Sequence, residues 1–326
     1  MFSLQELEEA VAVVHGAMPP TPQYSWPLLC ERLGSEVWVK HENQTPIGAF
    51  KLRGGLVFLK NLQESGEDIT GVITATRGNH GQSIALAGRK HGVPVTVYVP
   101  RGNSVEKNRA MRAFGAELVE HGADFDEARV ESDRVAAEKG LTFVPSFHRW
   151  LVLGVATYAY ELFQAVGDLD EVYVPVGMGS GICGLISARD ALGLTTKIVG
   201  VVAENAPAYS LSFDAGEVRE TNSAMTFADG VACRVPAQEA LDVIRRGADR
   251  IVRVSEDEIA AAMRAYYSDT HNLAEGAGAA PLAAALKERD ARGRRKIGLI
   301  LTGGNIDMPM FHTVLGGGTP GLPKVA

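Results

Sequence analysis

Lys51 stands in the segment Thr45-Pro46-Ile47-Gly48-Ala49-Phe50-Lys51-Leu52-Arg53-Gly54, between a small-residue turn and a basic, glycine-ended stretch. Such a setting can hold a lysine against a ligand instead of leaving it in water. A desolvated lysine has a lowered pKa and can form a Schiff base with an aldehyde. One lysine proves little alone, because most lysines are solvated surface charges. Three other segments carry chemistry that could act with it. They are Thr76-Arg77-Gly78-Asn79-His80-Gly81-Gln82, Pro175-Val176-Gly177-Met178-Gly179-Ser180-Gly181 and Leu301-Thr302-Gly303-Gly304-Asn305.

The glycine loop after Val176 is suited to an anion. Glycines remove the Cβ atoms, so successive backbone N–H groups can turn toward a phosphate, and the helix that follows adds its positive end. The same loop contains Gly179-x-Gly181-x-x-Gly184, with Glu204 near the end of the next predicted strand. That spacing also matches a dinucleotide fingerprint, so an NAD-dependent oxidoreductase is an alternative. The dinucleotide reading leaves Lys51, Asn79 and Thr302 without a role. Asn79 and His80 stand at a strand-to-helix junction, a second place for an anion; a helix cap at Asn79 and a solvated His80 are the plainer reading. Thr302 ends an apolar run, where it is either a hydroxyl aimed at a ligand or a threonine before a turn. Glu275 is either a ligand-side carboxyl or a helix-start acid complementing the dipole.

In this order the four segments resemble the fold-type II pyridoxal-phosphate (PLP) enzymes, and within them the serine/threonine dehydratase group. The resemblance runs from about Pro19 to Asp307. It implies PLP as cofactor, held through Lys51, with Phe50 beside it. It implies that Gly177, Met178, Gly179, Ser180 and Gly181 bind the cofactor phosphate. Asn79 would hydrogen-bond the ring hydroxyl oxygen, Thr302 would meet the pyridine nitrogen and Glu275 would lie near the ring. Thr76, Arg77, Gly78, Asn79 and His80 would receive the substrate carboxylate. The implied reaction is β-elimination from an L-β-hydroxy amino acid of the threonine or serine type, giving a 2-oxo acid and ammonia, with Lys51 as general base. A homodimer is the family expectation. A non-catalytic amino-acid sensor and a β-replacement synthase are the competing readings.

The chain departs from the pattern in three places. Arg77 stands where the family usually has serine or alanine, and in related racemases a serine there is the second base. Arginine keeps its proton at working pH, which argues against racemisation and leaves Arg77 either a carboxylate clamp or an outward-pointing residue. Glu204, Ala208 and Ser210 resemble the cation site of metal-activated relatives, but Ser210 replaces the second acid. Divalent cations favour several anionic oxygens, so no required metal is predicted. Phe147-His148-Arg149-Trp150 is bulkier than the family versions. It is either inter-domain core or a wall for a larger β-substituent. The second option would place the chain with dehydratases of L-threo-3-phenylserine or 3-hydroxyaspartate.

These residues need elements to position them. Ser3 and Glu6 form a capping box for a first helix that Gly16 and Pro19-Pro20 stop. A strand is predicted at 37–40 and a helix from Phe50 to about Glu64. Strands at 71–75, 95–99 and 117–119 alternate with helices, the last running from Asp124 to Lys139. A second alternation has strands at 171–175, 197–203 and 296–301, with helices at 180–192, 238–246, 256–267 and 275–289. Residues 204–226 look irregular, and the tail Gly316 to Pro323 is predicted to be flexible. The expected fold is α/β, with parallel sheets flanked by helices in two domains. Residues 1–68 plus 148–326 would form the large PLP-binding domain and residues 69–147 the small inserted one. No leftover C-terminal stretch is read as a regulatory module.

Composition bounds the rest. The 326 residues carry 46% hydrophobic and 22% charged side chains, an ordinary globular balance. A net charge of -7 argues against a broad nucleic-acid or anionic-membrane surface. The three cysteines are odd in number and lack C-x-x-C spacing, which fits a reducing compartment without a disulfide framework. The acidic N-terminus lacks the basic start of a signal peptide, and no apolar run is long enough to span a membrane. A cytoplasmic enzyme with a small amino-acid substrate, and with no nucleic acid or membrane as partner, is the expectation.

Overall fold

The ends of the parallel strands decide where the four motifs go. A computed structural model describes residues 1–322 and, of Arg292, the backbone alone; Pro323, the end of the tail predicted to be flexible, lies outside the described residues. The strands are β1 (Gln23–Ser25), β2 (Glu36–His41), β3 (Val72–Ala75), β4 (Val95–Val99), β5 (Glu117–Glu120), β6 (Thr142–Phe143), β7 (Glu171–Pro175), β8 (Lys197–Ala203), β9 (Arg250–Val254) and β10 (Lys296–Leu301). They form a six-stranded sheet in the order β1-β2-β10-β7-β8-β9 and a four-stranded sheet in the order β5-β4-β3-β6. Among the described strand pairings, only β1–β2 is antiparallel.

The helices are α1 (Leu4–His15), α2 (Pro27–Leu33), α3 (Lys51–Glu64), α4 (Asn79–His91), α5 (Val105–Ala113), α6 (Phe125–Lys139), α7 (Arg149–Ala165), α8 (Ser180–Ala191), α9 (Ala208–Ala215), α10 (Gln238–Gly247), α11 (Glu256–Thr270), α12 (Gly276–Lys287), α13 (Arg289–Arg292) and α14 (Met308–Leu315). The α/β class and the parallel sheets with flanking helices are those read from the sequence. The central strands β7, β8 and β10 are almost continuously apolar and buried, as strands covered on both faces must be. At the edge, β9 carries Arg250 and Arg253 among apolar residues and is half-buried. The Ser3–Glu6 capping box is formed.

Two buried devices fix α3 and therefore Lys51. The first is steric. A Cβ on Gly154 would sit 2.3 Å from the Arg53 carbonyl oxygen, so only glycine lets α7 approach the first turn of α3 this closely. The second is electrostatic. Arg53, wholly buried, donates to Glu42 (2.7 Å) and to both oxygens of Glu161 (2.6 and 2.8 Å). Lys40 Nζ, also buried, donates to Glu161 at 2.6 Å. Burial alone would raise the Glu161 pKa, yet the Arg53 hydrogen bonds and charge hold it down at about 2. The cluster ties β2, α3 and α7 together beneath the site.

Several elements went unpredicted: β1, β6, β9, α2, α7, α9, α13 and α14. In α9 the cause is local, since Pro207 and Gly216 bound a helix of only eight residues within a polar stretch. α7 is hidden because its buried face takes up most of its residues, leaving little amphipathic period.

Candidate active site

All four motifs leave the carboxyl ends of parallel strands. The turn before Lys51 follows β2, Thr302 follows β10, the glycine loop follows β7, and Thr76 to His80 follow β3. β2, β10 and β7 are neighbours, so three of the four arrive side by side, at the kind of sheet edge where open α/β folds bind ligands. Backbone bonds lock two of them. Phe50 N–H donates to the Thr302 carbonyl at 2.9 Å, Gly304 N–H donates to the Gly48 carbonyl at 2.9 Å, and Ala49 bridges Gly303.

Helices α3 and α8 begin beyond this edge, the N-cap of α12 is bonded to it through Glu275 N–H to the Gly303 carbonyl, and α4, from the four-stranded sheet, is joined to α12 by the Asn79–Glu275 bond. The Lys51 ammonium lies 4.9 Å from the centre of the Phe50 ring. Burial pushes its pKa down to about 8, against the pull of the Glu275 carboxylate. A lysine so placed is a usable amine near neutral pH. Glu275 is buried at the N-cap of α12, and burial pushes its carboxyl up to about 7. It accepts from Asn79 Nδ2 at 2.8 Å, while Asn79 Oδ1 accepts from Asn305 Nδ2, also at 2.8 Å. An amide nitrogen carries two hydrogens, so Asn79 keeps one donor for a ligand.

The glycine loop is an anion cradle by its unused donors. Val176 N–H donates to Val201 and Cys183 N–H to Gly179, but among the described residues no amide from Gly177 to Ile182 has an acceptor. Gly179 is the N-cap of α8 with φ of 100° and offers no side-chain cap. A Cβ on Gly177 would lie 2.1 Å from the Gly230 carbonyl oxygen, so the loop has room for glycine only. Two tyrosines brace it from beneath: Tyr209 donates to the Met178 carbonyl (3.0 Å) and Tyr158 to the Gly181 carbonyl (2.8 Å). Ser180 is the first residue of α8 and is buried.

Thr302 is 2% exposed, and its hydroxyl makes no hydrogen bond among the described residues. His80 is buried; desolvation, with Lys51 adding, lowers its pKa to about 3, so the imidazole is neutral. Its Nε2 has no partner among the described residues. Thr76 Oγ1 accepts from the Gly78 N–H at 3.0 Å and shapes the turn. Arg77 is exposed, without an ion pair or hydrogen bond among the described residues.

Other sequence candidates are engaged elsewhere. His148 and Trp150 pack edge-on against Phe58 of α3, and Arg149 pairs with Glu6. Glu204 takes Lys287 Nζ at 3.3 Å, and Lys287 also donates to Glu258 (3.0 Å) and the Arg253 carbonyl (2.9 Å). Ser210 Oγ accepts from Arg253 Nε at 2.9 Å. Gly184 serves packing, since its Cα faces the backbone of α7 at Ala156. Asn305 and Tyr209 lie within segments singled out in the sequence but carry no assigned role there, and Ser83 and Tyr158 lie outside every motif. Ser83 Oγ donates to the Lys51 carbonyl at 2.6 Å. The partners of all four are distant in sequence, so nothing local assigns their roles.

The donor set fits PLP: Lys51 could take its aldehyde, the free amides its phosphate, Asn79 its ring hydroxyl and the Thr302 hydroxyl its ring nitrogen. The site and the two-sheet fold are those of a fold-type II PLP enzyme. The model of the pyridoxal-phosphate dependent enzyme family matches residues 14–303, and the chain belongs to that family. Its cofactor is PLP. The chain is 32% identical to an L-threonine ammonia-lyase of Thermotoga maritima, over 98% of this chain and 79% of the relative. It is 37% identical to an L-threonine ammonia-lyase of Geobacter sulfurreducens, over 87% of this chain and 71% of the relative. A solved structure of the processed form of threonine deaminase isoform 2 from Solanum lycopersicum is similar with a TM-score of 0.87 and 30% identity, covering 96% and 93% of the two chains.

Proposed function

We propose that the protein is a PLP-dependent ammonia-lyase that eliminates water from L-threonine or L-serine, after which water hydrolyses the released enamine, through its imine, to a 2-oxo acid and ammonia. The observation that carries this reading is the meeting of Lys51, the unused amides of Gly177 to Ile182 and Thr302 at the carboxyl edge of the six-stranded sheet, with Asn79 from the four-stranded sheet bonded to Glu275 and Asn305 beside them. The names of the relatives point to the same chemistry. The bound cofactor supplies an electron sink for the carbanion formed at the substrate Cα.

In this reading Phe50 packs beside Lys51, and Lys51 Nζ, held near the Cα by α3, takes the Cα proton as general base. Gly177, Met178, Gly179, Ser180 and Gly181 hold the phosphate through backbone amides. Asn79 donates its second amide hydrogen to the ring hydroxyl oxygen, and Glu275 keeps Asn79 oriented. The Thr302 hydroxyl meets the ring nitrogen without a full charge, which favours prompt loss of the β-hydroxyl. The Thr76 hydroxyl and the backbone amides of Asn79 and His80 receive the substrate carboxylate, on the turn that the Gly78 N–H bond to Thr76 shapes. Arg77, in the exposed part of this loop, lies on the solvent side of that subsite.

Threonine or serine is favoured over 3-phenylserine because His148 and Trp150 pack on Phe58 of α3, Arg149 pairs with Glu6 of α1 and Phe147 packs on the core between α7 and α8. The reading includes two domains, residues 1–68 plus 148–326 and residues 69–147, with the cofactor between them. It also includes a homodimer and a cytoplasmic location. Among the described residues, no helix is long and apolar enough to cross a membrane. The test is 2-oxo acid release from purified protein with added PLP, comparing L-threonine, L-serine, L-threo-3-phenylserine and L-threo-3-hydroxyaspartate. Turnover of the first two is expected; release from none of the four would sink the proposal.

A further inference from the structure

Lys107 stands where helix physics disfavours it. It is the third residue of α5, whose N-cap Ser104 accepts from the Lys107 N–H at 3.0 Å. A capping box has glutamate or glutamine at this position, and the positive end of the helix repels a cation. The offset lies across the cleft. Lys107 Nζ pairs with Asp229 at 2.8 Å, and only 12% of the lysine side chain is exposed. Asp229 opens the short turn Asp229–Val231, which packs on α12 beside the six-stranded sheet, whereas α5 packs on α4 and β5 beside the four-stranded one. The same end of α5 makes two more crossings: Ser104 Oγ donates to Asp307 at 2.5 Å, and Met308 N–H donates to Glu106 at 3.0 Å.

The pair touches both ligand loops. The Lys107 stem covers Gly78, where an added Cβ would fall 2.7 Å from Lys107 Cδ. On the other side, the carbonyl of Gly230, next to Asp229, is the atom pressed against Gly177. Lys107, Asp229, Gly230, Glu275, Asn305 and Asp307 line one cavity. We infer that Lys107 is a positioning residue: its bond to Asp229 latches α5 across the cleft and fixes the spacing between the Gly78 loop and the Gly177 loop. The consequence for turnover rests on the proposed reading, in which these loops hold the substrate carboxylate and the cofactor phosphate.

The test compares wild type, Lys107→Met and Lys107→Arg. Methionine keeps much of the stem and removes the charge; the Asp229 side chain is 36% exposed, so water can solvate it once it loses its partner. For Lys107→Met holoenzyme, KM for L-threonine and the rate of PLP release should each rise on the order of tenfold, with a smaller change in kcat. Lys107→Arg should restore most of both. Adding Asp229→Asn to Lys107→Met should cost less than the sum of the single changes. Amide hydrogen exchange of the apo protein should quicken at residues 76–80 and 228–232 and stay unchanged in α11 and α12. Unchanged exchange at both loops together with unchanged PLP release would overturn the latch. So would a uniform rise in exchange with a lowered melting temperature that arginine fails to restore. If wild type turns over none of the amino acids, the functional reading fails while the exchange measurement still decides the latch.

Discussion

Asn79 and Glu275 are joined by a hydrogen bond of 2.8 Å that links the first residue of α4 to the N-cap of α12. The bond orients the Asn79 amide and leaves the Glu275 carboxyl in a dry place between Asn79, Lys51 and Lys107. Burial raises the Glu275 pKa to about 7 and lowers that of Lys51 to about 8, so both groups titrate close to neutrality. Each charge steadies the other, and removing either one shifts its neighbour further from its ordinary value.

The Glu275 shift predicts a pH dependence of stability in the apo protein. The folded state holds this proton up to about pH 7, whereas the unfolded chain releases it near 4.5. The neutral carboxyl therefore contributes fully below about 4.5, and that contribution fades as pH rises toward 7. Glu275→Gln cannot ionise and can still accept from Asn79. Calorimetry should show wild type losing stability relative to Glu275→Gln between about pH 5 and about pH 8. Parallel curves across that range would show that the carboxyl is not held protonated.

Lys51→Ala should separate chemistry from folding. The ammonium makes no hydrogen bond among the described residues, and α3 is fixed by Arg53 and Gly154, so the apo variant should melt within a few degrees of wild type. Release of 2-oxo acid from L-threonine should fall by about 10³-fold or more, the scale of a lost general base and cofactor anchor. The PLP absorption band should be lost or displaced. Ammonia release at the wild-type rate would refute the mechanism.

The aromatic stretch tests packing against specificity. Trp150 lies 5.7 Å from the Phe58 ring and 5.0 Å from His148, on the flank of α3. Trp150→Ala should cost roughly 2 kcal/mol in denaturant unfolding, less than a fully buried tryptophan because Trp150 is half-buried. The ratio of kcat/KM for L-threonine to that for phenylserine should stay within about twofold, below the ~1 kcal/mol expected of a pocket contact. A large change in that ratio without loss of stability would make the stretch a substrate wall.

How much of this was legible depended on whether the signal was local. Lys51, Asn79, the glycine loop and Thr302 each announce themselves by their neighbours, because a strand end, a glycine and a helix start fall within a few residues. The central strands β3, β4, β7, β8 and β10 were legible because burial on both faces leaves nearly unbroken apolar runs. Lys107, Asp229, Asn305 and Ser83 were illegible because their partners lie 32 to 258 residues away in sequence. The Arg53 cluster was hidden for the same reason: nothing near Arg53 announces Glu161, 108 residues distant. β1 and β9 were missed because edge strands are short or half-polar, and such strands carry little periodic signal.

Lys287 gives the last expectation. Where related enzymes would place a cation, Glu204 already holds a tethered ammonium, shared with Glu258 and the Arg253 carbonyl. The hydroxyl of Ser210, which replaces the second acid, is occupied by Arg253. A divalent ion favours several anionic oxygens and would have to displace one fixed cation and crowd another. Turnover after exhaustive dialysis against EDTA should therefore stay within about twofold of the untreated enzyme, and added magnesium or manganese should not raise it. Lys287→Met should cost less than about 1 kcal/mol, because the pairs are partly exposed and water screens them. If EDTA abolishes turnover and the metal restores it, Lys287 does not replace the ion and the cation site is intact despite Ser210.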